Sequence, residues 1–378
     1  MPPPQRHATA YLSRSFPAPL NRTTLSTNDN VRRELISSIQ LYSEVKDLGR
    51  TLLRRFGHPD AKKSFDRFQS YIRQSIAFFE GAETLRYRSS PLLYYYSFMN
   101  LVKAITFLRD PTFPFGHIHH GLIPSRKNGV LANHFVTVAG SGVFPRFYSQ
   151  LTGNIVQSHS KLTIKALLGY VSAISFEYTH LNFGQVRYSG CRYAIVRFHG
   201  EQEFRAVLVV TRLAQSYDTQ LSRMLSKGFT EITLDQVFLV NAFNLAPAEM
   251  PFFSCWESRA TFPSPDGRSV PSQLVVNATM TALSDHVSFV PIANWPILFV
   301  LNLKLRTPRQ LIMNEIFAIY AVMFFLGSLV RYRPEILESM LATKDAWLIE
   351  SFIRSAPIAF LRHARNLIDG NYLAFNEQ

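Results

Sequence analysis

The sequence predicts a mostly α-helical protein, with a helical bundle core built from the N- and C-terminal regions and a central α+β insert. Three observations lead there. Two segments, 92–108 and 308–331, are apolar on nearly every side over a helical length, which marks helices buried all round. Their neighbours repeat apolar residues at helical spacing, with polar residues on the other face. From Gln185 the pattern changes to short β-branched and aromatic runs between polar breaks, and helical patterning returns only at Pro308. The expected organisation is a basic, flexible N-terminal arm over 1–27, an N-terminal helical part of the core over 28–183, a mixed insert over 184–262 and a C-terminal helical part over 263–378.

In chain order, Met1 to Thr27 is polar and Pro-rich, as an arm would be. Asn28, Asp29 and Asn30 offer N-caps for a helix whose inner face is Leu35, Ile39, Tyr42, Val45, Leu48, Leu52 and Phe56. Gly57-His58-Pro59 stops it. Asp60 caps the next helix, which turns Phe65, Phe68, Ile72, Ile76 and Phe79 inward and leaves Lys62, Lys63, Arg67 and Arg73 on its outer side. Ser89-Ser90-Pro91 opens the central helix with a serine cap and a proline where its missing N–H costs nothing. The loop from Arg109 to Asn133 holds three prolines and three glycines, and loops that long inside a domain are often functional. Phe135 to Val138 reads as a strand and Leu162 to Tyr178 as a helix. In the insert, Val186–Val196, Arg205–Thr211, Ile232–Val240 and Phe252–Trp256 read as strands. Pro291 and Pro296 argue against a single helix over 275–301. Pro334 opens a helix to about Leu341, and two more are expected near 345–355 and 357–369.

Composition narrows the function classes. The 378 residues carry 40 Lys and Arg against 26 Asp and Glu, a net charge of +14, which favours a polyanionic partner such as RNA, DNA or an acidic protein. Two isolated cysteines, Cys191 and Cys255, supply neither a disulfide framework nor a zinc site and fit a reducing cytoplasm. No secretory signal is visible, and the uncharged run from Ile316 to Val330 is short for a membrane span, so no membrane association is expected. No P-loop, H-E-x-x-H or G-x-S-x-G is present, and Gly140-Ser141-Gly142 lacks the third glycine of a dinucleotide fingerprint. Nothing calls for a cofactor.

The candidate site is read from misfit polarity. Asn100 and Lys103 are the strongly polar residues of the apolar helix 92–108; they share a face and need partners. Glu80 lies one residue beyond the buried Phe79, His120 sits in the long loop, and Arg331 and Arg333 end the second apolar helix. Together these form a candidate polar or anion pocket, with Lys103 and Arg331 as phosphate contacts. The competing reading is internal ion pairing that solvates buried charge without any ligand. His117, His119 and His120 form an H-x-H-H cluster, but converging further ligands are missing, and the expectation is a polar loop without metal. Candidate nucleic-acid contacts are Lys62, Lys63, Arg67, Arg73, Arg354, Arg362 and Arg365, against the default of solvated helix faces.

A family resemblance runs through these stretches. Phe79-Glu80-Gly81-Ala82, Ser90 to Tyr95, Asn100 to Ala104, Asp110-Pro111 with Pro114, and His120-Gly121-Leu122 resemble successive motifs of the YaaC-like bacterial proteins. Leu326 to Pro334 is similar to that family's late L-S-x-x-x-R-Y-x-P element, with Gly327 at its second position. The resemblance implies a helical fold and an intracellular bacterial setting. Some such helical families have been grouped with HEPN proteins, often ribonucleases or RNA-binding components of toxin and defence systems. HEPN ribonucleases use an arginine and a histidine in an R-x4–6-H pair on a helix; here Arg192 and His199 match that spacing inside a predicted strand, and Arg354 and His363 are too far apart. The expected function is therefore binding, to RNA or another nucleic acid through a basic surface. The alternatives are a metal-independent HEPN-like ribonuclease and a protein-interaction subunit of a bacterial defence or toxin system.

Overall fold

The computed structural model describes residues 5–6, 8–11, 23–25, 31–112, 119–184, 186–211, 222–223, 225–243, 245–263, 271–283, 287–293, 298–302, 313–369 and 373–375. The chain divides into two compact units: a mixed unit (1–26, 187–303 and 374–378) and a helical unit (27–186 and 304–373).

The helical unit comprises α1 (Val31–Glu44), α2 (Lys46–Arg55), α3 (Ala61–Glu83), α4 (Ser90–Arg109), α5 (Val143–Thr152), α6 (Ile164–Leu168), α7 (Ser175–His180), α8 (Glu315–Tyr332), α9 (Pro334–Leu341) and α10 (Asp345–Asp369). Its centre is the pair α4 and α8, the two segments that sequence marks as apolar all round. Every residue from Glu315 to Gly327 is buried. Tyr95 of α4 packs on Tyr320 and Phe324 of α8, with ring centroids 5.7 and 5.2 Å apart, and Phe98 stacks on Phe360 of α10 at 3.9 Å. By length and composition α8 passes as a membrane span, yet it is 78% buried within the protein. Of the capping signals, Asp60 acts as read, its side chain accepting from the Lys63 N–H, whereas Ser89 precedes α4 without a side-chain cap bond; buried His58 places Nε2 3.1 and 3.2 Å from the terminal carbonyls of Phe107 and Leu108 on α4.

Several expectations need correction. The first long helix breaks at Val45 into α1 and α2. The stretch 162–178 is a strand edge, α6, a 3-10 turn and α7 in succession. Conversely, α10 runs unbroken through Pro357, because both halves bury the same apolar stripe, which outweighs the one lost backbone bond. The predicted caps at 28–30 and the helix start at Pro308 lie outside the described residues.

Beside these helices lies a three-stranded antiparallel sheet of Leu122–Pro124, Phe135–Val138 and Lys161–Thr163. It buries Leu122, Val136, Val138 and Leu162 and turns Ile123, Phe135, Thr137, Lys161 and Thr163 outward, the alternation expected of a half-buried sheet.

The mixed unit is larger than its predicted bounds of 184–262. Its main antiparallel path runs Phe229–Leu234, Phe253–Ser258, Glu203–Thr211, Tyr188–Phe198, Leu298–Asn302 and Val287–Ala293, so the chain stays in this sheet to residue 302. The register shifts around Pro291, where proline cannot donate to the ladder. The expected arm also contributes: Ala8–Tyr11 pairs antiparallel with Tyr188–Phe198, and Gln5–Arg6 runs parallel to Phe229–Leu234. Added strands satisfy sheet-edge backbone groups that a mobile arm would leave bare. The segment Gln236–Phe243 is helical, not the end of a strand, and packs Phe238, Leu239 and Phe243 on Val196, Phe198 and Ile232.

Candidate anion-binding cleft

The C-terminal end of α8 meets the N-terminal end of α4 at Gly327. A Cβ there would lie 3.2 Å from the Pro91 carbonyl and 3.3 Å from Tyr95 Cβ, so glycine permits the approach. Beyond this contact the helices part around a cleft of about 540 Å³, open solvent at its mouth included. Tyr95, Tyr96, Phe324, Arg331 and Tyr332 supply its aromatic and cationic walls; His120 and Leu122–Pro124 close the side, and among the described residues no carboxylate lines it.

The loop before the small sheet fixes His120 by its backbone. Its carbonyl and that of His119 accept the free N–H groups at the start of α5, from Phe144 at 3.1 Å and Val143 at 3.0 Å. The turn depends on two glycines in the left-handed region, Gly121 at φ +80° and Gly142 at φ +116°; a Cβ on Gly142 would sit 2.6 Å from Gly121 Cα. His119 belongs to the same turn, with Nδ1 accepting from the Gly121 N–H at 3.2 Å and Nε2 3.0 Å from Ser141 Oγ. His117 lies outside the described residues, and among those described no His, Cys, Asp and Glu grouping could hold a metal ion.

The electrostatics are one-sided. Arg331 donates to the Tyr96 hydroxyl at 2.7 Å, and its guanidinium lies 5.0 Å from the Tyr332 ring centroid. Burial raises the Tyr95 hydroxyl well above its ordinary range, and this hydroxyl is hydrogen-bonded to His120 Nδ1 at 2.6 Å. Burial lowers the His120 pKa, and the charges of Lys103, Arg331 and His119 lower it further. Lys103 stands two turns along α4 from Tyr96, its ammonium 5.9 Å from the Tyr71 ring centroid, and burial lowers its pKa as well. Lys103, His120 and Arg331 therefore share one electrostatic neighbourhood.

The other predicted pocket residues do not join them. Glu80 is exposed, and its negative charge acts on neighbouring Glu83. Asn100 is 4% exposed but meets its need within its own helix, donating to the Tyr96 carbonyl at 3.0 Å. Arg333 is a strap: it donates to the Arg126 carbonyl at 2.8 Å and Asn128 Oδ1 at 2.6 Å, and pairs with Glu335. Sequence reasoning missed Tyr95, Tyr96 and Tyr332, although the Tyr94-Tyr95-Tyr96 run and the Arg331-Tyr332 pair carried the signal.

The basic set divides. Lys62, Lys63, Arg67 and Arg354 are exposed, with Arg67 5.5 Å from the Phe107 ring centroid. Arg73 is exposed but bound to Glu44 at 2.6 Å. Arg362 is largely buried, which lowers its pKa through lost hydration, and the nearby Glu315 charge opposes that shift. Arg365 is 3% exposed and paired with Asp369 at 2.8 Å, so it is a core ion pair and not an outward contact. Asp369 also binds the Tyr42 hydroxyl and, through its carbonyl, Arg55, tying the end of α10 to α1 and α2.

A second polar cluster is fully internal. Glu315 Oε1 accepts from the Ser172 N–H and hydroxyl at 2.7 and 2.6 Å, while Oε2 meets His363 Nε2 at 2.8 Å. These bonds hold the Glu315 carboxyl below its usual range against the opposing effect of burial. The cluster ties the 172–174 turn and α10 to the start of α8. The R-x6-H match, by contrast, lies in the mixed unit: Arg192 is buried in a strand and donates to the Phe243 carbonyl, and His199 is exposed past the strand's end.

The sequence model of the YaaC-like Protein family matches residues 43–368 of this chain. No curated protein matches, and no solved structure does.

Proposed function

The chain belongs to the YaaC-like protein family, and on that premise we propose that it acts by binding single-stranded RNA, seated in the cleft between α4 and α8. The observation that supports this reading is His120 and Arg331 together on an aromatic cleft whose described lining holds no carboxylate, with the charge of Lys103 near enough to act on His120. Cations hold phosphates and exposed aromatic rings stack bases, the combination used to hold single strands with little sequence preference. Along the α3–α4 pair, Lys103 beside Tyr71 and exposed Arg67 add cations away from Tyr96, while the Phe107 ring next to Arg67 is buried. At 1.5 Å rise per residue, Tyr96 to Phe107 spans about 16 Å. Exposed Lys62 and Lys63 lie one turn further along α3.

The test is binding of a mixed RNA pool across a salt series, for wild type, Arg331→Gln and Lys103→Gln. Wild-type affinity is expected to fall steeply with salt, and each variant to flatten the log–log slope by about 0.7, one phosphate contact on a single strand. The loss should be similar across sequences, because phosphate contacts carry little sequence information. A wild type with no salt-dependent RNA binding removes RNA as the partner and favours a protein partner. A second reading, metal-independent RNA cleavage, draws on His120, whose pKa burial and the neighbouring cations lower and which would serve as general base on a ribose hydroxyl with Tyr95 accepting from its other ring nitrogen. RNA shortened in the presence of a chelator by wild type, but not by His120→Gln, would favour it.

A further inference from the structure

One wall of the cleft continues outward as the small three-stranded sheet. Ile123 lines the cleft and is 50% exposed. Across the sheet it faces Thr137, which in turn faces Lys161. Two residues back along the same strand, about 7 Å away, Phe135 lies on the same outward face. Its ring is partly exposed, and the ammonium groups of Lys127 and Lys161 lie 5.6 and 5.2 Å from its centroid. The loop carrying Lys127 is held by Arg333, two residues beyond the cleft's Arg331 on the same chain segment. Between Asp110 and Glu177 the sequence has no acidic residue, so the sheet and the loop before its second strand carry Arg126, Lys127 and Lys161 without a carboxylate of their own.

We infer that this outward face, centred on Phe135 between Lys127 and Lys161, is a second nucleotide subsite: an RNA base stacks on the Phe135 ring and its flanking phosphates meet the two ammonium groups. The inference rests on the reading that the protein binds RNA, and it extends the bound strand from the cleft across the sheet. A half-exposed ring on a sheet face is of little use to an acidic peptide, whereas every base has a face to stack on it. On binding, the ammonium groups exchange the ring for phosphate oxygens, a stronger, charge-assisted partner.

The experiment compares oligouridines of about 4 and about 12 nucleotides, lengths at the two ends of common single-strand site sizes. Phe135→Leu should weaken the longer oligomer about tenfold, the lower range of one lost stacking contact, and leave the shorter one unchanged. Phe135→Trp should keep wild-type affinity, which separates stacking from any general effect on the sheet. The double variant Lys127→Gln/Lys161→Gln should lower the salt slope of the longer oligomer by about 1.4, two single-strand phosphates. Arg331→Gln should weaken both lengths. Longer-oligomer affinities of Phe135→Leu that equal wild type, with Arg331→Gln still impaired, would overturn the sheet subsite and spare the cleft. Loss in Phe135→Leu with no change in Arg331→Gln would do the reverse. Displacement of the longer oligomer by polyglutamate of equal charge would also overturn it, since a site for charge alone needs no ring.

Discussion

The two ends of helix α8 handle charge in opposite ways. At its start, Glu315 is buried with every carboxylate contact met inside the protein, by Ser172 and His363. At its end, Arg331 reaches a tyrosine hydroxyl and a tyrosine ring at a cleft whose described lining holds no carboxylate, while Lys103 and His120 stand nearby with lowered pKa values. The first arrangement is what a core does with an unavoidable charge: it supplies the counter-groups. The second gathers like charges without supplying their opposites, which costs stability unless an anion arrives. That contrast, more than the net charge of +14, is the physical basis for looking for a ligand at one end of the helix and not at the other.

The largest effect should come from breaking the internal end. Glu315→Ala leaves the Ser172 N–H and hydroxyl and His363 without their partner, a loss of about 1–3 kcal/mol for each buried group left unsatisfied. Urea unfolding of the full chain would measure it, and a midpoint equal to wild type would mean that water readily replaces the carboxylate. Next in size is Gly327→Val at the helix crossing, where overpacking against the Pro91 carbonyl and Tyr95 should cost about 1–3 kcal/mol. Its particular signature is loss of RNA binding beyond the loss of folded protein, because the cleft is framed by the same contact.

The smallest effect sharpens the comparison through pH. A folded His120 whose pKa lies below its unfolded value of about 6.5 refuses a proton that the unfolded chain accepts. Its contribution to stability is therefore full above that pH and is lost as pH falls below it. RNA should show the opposite trend: a phosphate beside His120 favours the imidazolium, so affinity should rise on acidification, with proton uptake on binding. Both slopes should flatten in His120→Gln. A stability slope retained in that variant would assign the effect to another histidine, such as His134, whose pKa burial also lowers.

The part of the fold legible in the sequence was the part governed by one strong rule. Segments apolar on every face have only one place to go, so the pairing of α4 with α8 followed from composition. His120 and Arg331 do line one cleft, with Lys103 near enough to act on His120, as polar groups stranded in apolar surroundings would. Glu80 failed because one residue beyond a buried position is a rotation of about 100° around a helix, enough to face solvent. Arg365 failed because its burial is set by Asp369, with Tyr42 and Arg55 far away in sequence, which no periodicity reports. The mixed unit outran its predicted end because Pro291, which in the sequence argued only against a single helix, sits at a register shift inside a strand.

The pairing of α4 with α8 also sets a schedule. Tyr96 and Arg331, which meet across it, are 235 residues apart, with most of the mixed unit encoded between them. At typical synthesis rates the ribosome needs roughly 10–50 s to cover that distance. During that interval α4 can pack on α3 and α5 but lacks α8 and α10, so part of its apolar surface stays uncovered while the sheet that follows it is being completed. The nascent chain thus carries its stickiest surface longest, and conditions that slow translation, or deplete the holding chaperones of the cell, should lower the yield of folded protein more than its final stability would suggest.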